Sequence, residues 1–317
     1  MMKRAVSATI ALALVIAVVG AGCTPPAPEP VTDPLPQRAN TIACIQIDDI
    51  LTDPDLIEAY DQAEKDPGMP QTVDEALAQV TAETGIDPRD FTEMVLFADS
   101  EVEDYVAFIL EGQFDQGALL DAIEQESGEE LIPGQYQGYQ IYTDSTGESA
   151  LCFLSSTMVI AGTYEAVRDG IDVAVGYAAP ISGPVADTYT AFGDVWVKVA
   201  AEIPPQAIDE VSGDDIPIDE ETMESVEAVG ASLNKVGPDV TIEVKVCFTS
   251  SALANTFAAL LLTAKTFIPL SEDFPPEAGP LLERVEISSG GRCALASLTA
   301  TVDEIEALVE ALQEEEQ

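Results

Sequence analysis

Short apolar or alternating runs punctuate the chain and predict strands, because side chains on an extended backbone point alternately to its two faces. In the first half these runs are Thr41–Ile47, Glu93–Ala98, Tyr105–Leu110, Gln140–Thr143, Ala150–Leu154 and Met158–Ala161; in the second they are Val195–Ala200, Thr241–Phe248, Arg284–Ser288 and Cys293–Thr299. Helical spacing separates them. Thr72-Val73-Asp74-Glu75 is a capping box that opens onto Val73, Ala76, Leu77 and Val80, and Thr301-Val302-Asp303-Glu304 repeats it ahead of Ile305, Leu308, Val309 and Leu312. Further helices are predicted near Gln116–Gln125, Tyr164–Val175 and Glu220–Lys235, and over Ala252–Phe267. The last carries a single charge, Lys265, which predicts a helix buried over most of its surface; a membrane or partner face is the alternative.

The order strand, helix, strand, helix, hairpin, helix occurs twice. Gln140–Leu154, turning at Asp144-Ser145-Thr146-Gly147, corresponds to Arg284–Leu298, turning at Ser288-Ser289-Gly290-Gly291, and Tyr164–Val175 corresponds to Val302–Leu312. The boundary falls in the Gly- and Pro-containing link Ala178–Gly193, giving halves at 40–190 and 191–317. Strands joined by tight turns make an antiparallel sheet, so the expected class is α+β: duplicated units of largely antiparallel sheet with helices packed on one face.

The N-terminus changes where this body is expected to reside. Lys3 and Arg4 precede an apolar run from Ala8 to Val19, broken only by Thr9, which is the layout of an export signal over residues 1–22. Gly20-Ala21-Gly22-Cys23 resembles a bacterial lipobox, in which the cysteine receives a diacylglycerol thioether and becomes the mature N-terminus; Gly20 stands where that motif usually carries a branched apolar residue. An uncleaved anchor is the other reading, since the run approaches the ~17 residues of a short membrane span. Both place residue 24 onward outside the cytoplasm. Pro25, Pro26, Pro28, Pro30, Pro34 and Pro36 make residues 23–39 a tether, whose proline-bearing stretch 24–37 spans about 40 Å in polyproline II geometry.

Charge narrows the partners. The precursor has 58 acidic and 12 basic residues; two of the basic ones and no acid lie in residues 1–23, so the mature chain has 58 acids against 10 bases, a formal charge of −48. Such a body repels nucleic acid and anionic head groups, while cations and cationic partners stay open. Histidine is absent, which removes His-dependent triads and His-containing zinc sites. Cys44, Cys152, Cys247 and Cys293 sit in apolar strand-like settings without C-x-x-C spacing, favouring buried thiols, although export permits disulfides.

Gly112-Gln113-Phe114-Asp115, then Tyr136-Gln137-Gly138-Tyr139-Gln140-Ile141-Tyr142, then Ala150–Leu154, Met158–Gly162 and Ala166–Asp172 form a G-x-F, Y-x-G-x-x-I-Y, hydrophobic hairpin, G, helix series. Across roughly residues 40–190 this resembles a bacterial family of exported proteins built around a domain of unknown function. The resemblance implies an exported, membrane-attached module and brings no activity or cofactor.

Candidate sites are few. Asp214, Asp215, Asp219, Glu220 and Glu221 form the densest acidic loop, whose oxygens suit calcium but lack the spacing and central glycine of an EF-hand; the plainer role is acids at the start of the following helix. Asp48, Asp49, Asp53 and Asp55 suit helix capping, Glu314–Glu316 a solvated tail, and Tyr136, Tyr139 and Tyr142 a mixture of core and surface. No G-x-S-x-G or phosphate loop is present, and no motif asks for a cofactor. The expected role is binding or scaffolding at the membrane. The alternatives are a carrier holding an apolar ligand between its sheet and the Ala252–Phe267 helix, and a carboxylate- or metal-assisted hydrolase.

Overall fold

The structure, a computed structural model, describes residues 34–63, 65, 68–102, 104–203, 220–267, 278–305 and 307. Two compact units emerge, one containing Ile45–Ile181 with the segment up to Ala39, the other Asn40–Cys44 with residue 182 onward. The division runs through β1 (Thr41–Gln46). It falls at Ile181, ahead of the expected 190/191, because α6 (Pro184–Thr190) packs on β8 (Val197–Ala201) and β9 (Val226–Val236) of the second unit.

In the first unit, α1 (Ile47–Thr52), α2 (Pro54–Gln62) and α3 (Val73–Thr84) lead to β2 (Phe91–Ala98) and β3 (Val106–Gly112). The helix α4 (Gln116–Ser127) is followed by β4 (Ile132–Tyr136), β5 (Tyr139–Thr143), β6 (Ser149–Phe153), β7 (Met158–Thr163) and α5 (Tyr164–Ala174). Strand order is β2-β3-β7-β6-β5-β4, with antiparallel neighbours throughout. The α+β class is as expected; the single helical face is not. Leu119, Leu120 and Ile123 of α4 cluster with Val159 and Ala161 of β7, whereas Gly170 of α5 lies against Ile160, the residue between them. Odd and even positions of a strand point to opposite faces, so helices cover both sides. That is why Met158–Ala161 is an unbroken buried run.

The residues that carry the family resemblance are packing and turn residues. A Cβ on Gly112 would sit 2.2 Å from the Asp90 carbonyl and 2.7 Å from Phe91 Cα, where the β2–β3 register shifts, and Phe114 stacks between Phe91 and Phe153 at 5.7 and 6.0 Å. Gln137 and Gly138 form the two-residue β4–β5 turn with φ of 52° and 88°. The tether is shorter than expected. Leu35 and Ala39 are buried, the Ile181 amide donates to the Leu35 carbonyl at 2.8 Å, and Arg38 pairs with Asp99 and Glu165 while lying 4.2 Å over the Tyr105 ring. Residues 34–39 therefore belong to the body, because two apolar side chains and an ion-pair cluster hold them there.

The second unit contains α6, β8, a short α7 (Glu220–Glu224), β9, β10 (Asp239–Phe248), α8 (Ser251–Phe267), α9 (Gly279–Arg284), β11 (Glu286–Gly290) and β12 (Cys293–Thr301). Strand order is β11-β12-β10-β9-β8, again with antiparallel neighbours. The helix expected over Glu220–Lys235 is mostly strand: five residues are helical and β9 follows. Glu, Ala, Leu and Lys there favour helix locally, but small residues at alternate positions suit a strand lying under α6. A Cβ on Gly230 would meet Thr188 at 2.7 Å and Phe192 at 2.8 Å.

Both units repeat one topology. A hairpin (β2–β3 or β9–β10) is followed by a helix (α4 or α8) and a second hairpin (β6–β7 or β11–β12) whose last strand pairs with the last strand of the first hairpin. The counterpart of β11–β12 is thus β6–β7, not the expected Gln140–Leu154 hairpin; β4 and β5 are an outer addition to the first unit. Thr301 and Glu304 complete a reciprocal capping box, Glu304 N to Thr301 Oγ1 at 3.3 Å and Thr301 N to Glu304 Oε2 at 2.9 Å. Thr72 accepts from the Glu75 amide at 3.1 Å.

Of the four cysteines beyond Cys23, Cys247 and Cys293 form a disulfide across directly paired positions of β10 and β12, while Cys44 and Cys152 are buried thiols. Burial alone pushes the Cys152 thiol far up, so it is inert at neutral pH. The expectation of four thiols fails for the pair that neighbouring strands bring into register. In the unreduced mature chain with Cys23→Ser, thiol titration is expected to find two thiols after denaturation and none before. Replacing both Cys247 and Cys293 by serine should lower stability by about 2–4 kcal/mol in denaturant melts, given the 46-residue separation. Gly112→Ala should cost about 1–3 kcal/mol, since the obstructing atoms are backbone.

Candidate functional site

The expected acidic site cannot be assembled from the described residues. Asp214, Asp215 and Asp219 lie outside them, as does Cys23; Glu220 and Glu221 open α7, with side chains outside the description. Among the described residues no group of three or more potential ligands is placed to hold a metal. Asp53 caps α2 by accepting from Asp55 and Leu56 amides at 3.1 and 2.9 Å, while Asp48 and Asp49 lie in the first turn of α1. The tyrosines divide: Tyr139 and Tyr142 are buried, and Tyr136 donates to Asp172 at 2.8 Å beneath the Arg168 guanidinium. Glu314–Glu316 lie outside the described residues.

The few basic residues are committed to the fold. Arg89 pairs with Asp87 and Asp74, Arg284 with Glu304, and Arg292 with Glu227. Lys198 and Lys245 donate to the carbonyls of Gly193 and Ala191 after α6, at 2.8 and 3.0 Å, and lie over Tyr189 and Phe192. Lys65 donates to the carbonyls of Tyr60 and Ala63, and Lys235 and Arg168 lie over aromatic rings. Arg38 and Lys265 are engaged as well, so each basic side chain among the described residues has a partner within the fold.

One surface is built differently. Because β8, β9, β10 and β12 are in register, alternate residues line up in rows across the sheet: Val199, Ala231, Val244 and Ala296 in one, Val197, Leu233, Ile242 and Leu298 in the next. All eight are aliphatic, and none is buried; Val244 is 45 % and Ile242 38 % exposed. The next row toward the end of β10 contains Val246 and Ala294, and these pack under α8 with Phe248. The opposite face of the same strands carries Lys245, Cys247 and Gly230 against α6. One face is therefore closed and the other half open.

The helix α8 explains the half-open state. Ala254 and Ala258, four residues apart, are small enough to bring its N-terminal half onto Phe248 and Ala294. None of residues 259–267 is buried. Asn255 accepts from Ser289 of β11 at 2.7 Å, which leaves the opposite flank, Leu253, Phe257, Leu260, Ala264 and Phe267, on the β10 side of the helix. On that flank Phe257 meets Phe248 at 5.2 Å ring separation, while Leu260 is 38 % and Phe267 62 % exposed. The expectation of a helix buried over most of its surface is thus corrected, because only Ala254 and Ala258 of α8 are fully buried, with Leu253 and Phe257 partly buried beside them. Lys265 is bound to the carbonyls of Glu283 and Val285 at 2.8 and 2.6 Å, so the one charge of the helix is engaged at α9. No helix among the described residues is long and apolar enough to cross a membrane.

The sequence does not reveal this aliphatic face because β9, which contributes Ala231 and Leu233 to its two rows, has the composition of a helix. The uniform apolarity of Ala252–Phe267 was the signal that could be read.

These contrasting roles of α8 predict contrasting variants. Leu260→Gln should change stability by less than about 0.5 kcal/mol, as for surface substitutions, whereas Ala258→Leu should cost about 1–3 kcal/mol by overpacking; urea melts distinguish the two.

No family model matches this chain, and no curated protein matches it. Among solved structures, crystal form III of TP0453 matches at 8 % identity and a TM-score of 0.49, covering 90 % of this chain and 98 % of that one. Crystal form I of the same protein matches at 8 % identity and a TM-score of 0.47, covering 92 % and 98 %.

Proposed function

We propose that the chain is a lipid-anchored extracytoplasmic protein that acts by binding, through the aliphatic face between α8 and the second-unit sheet. The observation that carries this reading is that face: two cross-strand rows of eight aliphatic side chains, none of them buried and three of them, Val199, Ile242 and Val244, exposed. A soluble monomer loses free energy by wetting such a surface, at about 25 cal/mol per Å2 of apolar area, so covering it is favourable.

Attachment rests on separate support. Cys23 ends an export-type apolar run, and only residues 24–33 separate it from the first described residue, Pro34. Ten residues span at most about 35 Å fully extended, so lipidation at Cys23 would hold the body close to the membrane. The Cys247–Cys293 disulfide suits an oxidising compartment. Binding without catalysis is favoured by the absence of histidine and by the structural engagement of the described basic side chains and of Tyr105, whose hydroxyl donates to Asp169 at 2.9 Å.

In membrane fractionation the native chain should partition into the detergent phase, and Cys23→Ala should leave it unprocessed or release it to the aqueous phase. Processing and detergent partitioning unchanged by Cys23→Ala would refute lipid attachment at this residue.

A further inference from the structure

We infer that the occupant of the second-unit face is the acyl chain of a membrane lipid, laid between the C-terminal half of α8 and strands β8, β9, β10 and β12. The inference rests on the binding role proposed above and names its ligand.

The chemistry of the face selects the occupant. Its two rows of Val, Ala, Leu and Ile offer no hydrogen-bond donor or acceptor, and neither does the flank of α8 formed by Leu253, Phe257, Leu260, Ala264 and Phe267. A protein partner is usually gripped by Tyr, Trp or Arg anchors set in a polar rim, and neither row contains one. A second copy would bring together two chains each at −48, whose repulsion opposes association. A hydrocarbon chain asks only for what is present, namely methyl and methylene surface free of polar groups that would be left unsatisfied.

The dimensions and the tether agree with that choice. Four strands at ~4.8 Å spacing give a floor about 14 Å wide, and residues 259–267 of α8 give a wall about 13 Å long. With at most ten residues between Cys23 and Pro34, bilayer lipids are the apolar molecules at the highest local concentration. The two cations nearest the face are both engaged: Lys265 by the carbonyls of Glu283 and Val285, and Lys235, one row beyond Leu233, over the ring of Trp196.

The test uses the whole mature chain from residue 23 with Cys23→Ser and a neutral monoacylglycerol carrying a pyrene-labelled acyl chain, titrated below its critical micelle concentration. Saturable fluorescence enhancement at about one probe per chain is expected, weakened at least tenfold by Val244→Asp on the floor. Leu260→Gln on the wall should weaken it about threefold or more, and Thr263→Gln, on the side of α8 turned from the sheet, should leave it unchanged. Absence of saturable binding would overturn the inference. So would binding that both floor and wall variants, folded by circular dichroism, leave intact. Because the probe reads the body without its anchor, failure here is separate from failure of membrane attachment, which the Cys23→Ala fractionation reads alone.

Discussion

The register of β12 against β10 is the constraint on which the second unit depends. Nine consecutive residue pairs, from Asp239–Thr301 to Cys247–Cys293, fix which side chains of each strand point to α6 and which to α8. A slip of one residue would exchange the two sets, sending aliphatic residues toward α6 and the polar ones outward. The disulfide at the last pair excludes that slip covalently, and the β10–β12 pairing carries the register on to β9 and β8 through their own antiparallel ladders.

From that register the two faces acquire different fates. On one, Gly230 leaves room for Thr188 and Phe192, so α6 comes close and the face is closed. On the other, α8 makes close contact only where Ala254 and Ala258 permit, and the sheet beyond Val246 keeps its aliphatic rows open. The first unit shows the alternative outcome of the same topology. There α4 presents Leu119, Leu120 and Ile123, large enough to fill the space above β7, and α5 closes the reverse face. The two units share a topology but not their packing residues, and the half-open face arises from small residues where the first unit has leucines.

Much of this was legible in the sequence wherever periodicity and burial agree. β7, β10 and β12, the capping box at Thr301 and the amphipathic α5 follow from patterns that local propensity reinforces. β9 did not, because Ala228, Gly230 and Ser232 are dictated by the approach of α6, a tertiary demand that leaves no β-branched signature. Cys247 and Cys293 are 46 residues apart and become neighbours only through sheet order, so spacing alone could not pair them. The candidate site was half visible: the apolar helix stood out, while its floor emerges only after four strands are placed in register. The acidic cluster, conspicuous as composition, lies largely outside the described residues.

An aliphatic face that is a ligand site, and not merely tolerated exposure, must be where hydrocarbon goes. Photo-crosslinking with a diazirine-bearing acyl lipid in the native membrane, followed by peptide mapping, tests this most directly. Labels are predicted on Ile242–Val246 of β10 and on residues 257–267 of α8. Labelling spread evenly over the body, or confined to the segment next to Cys23, would contradict it.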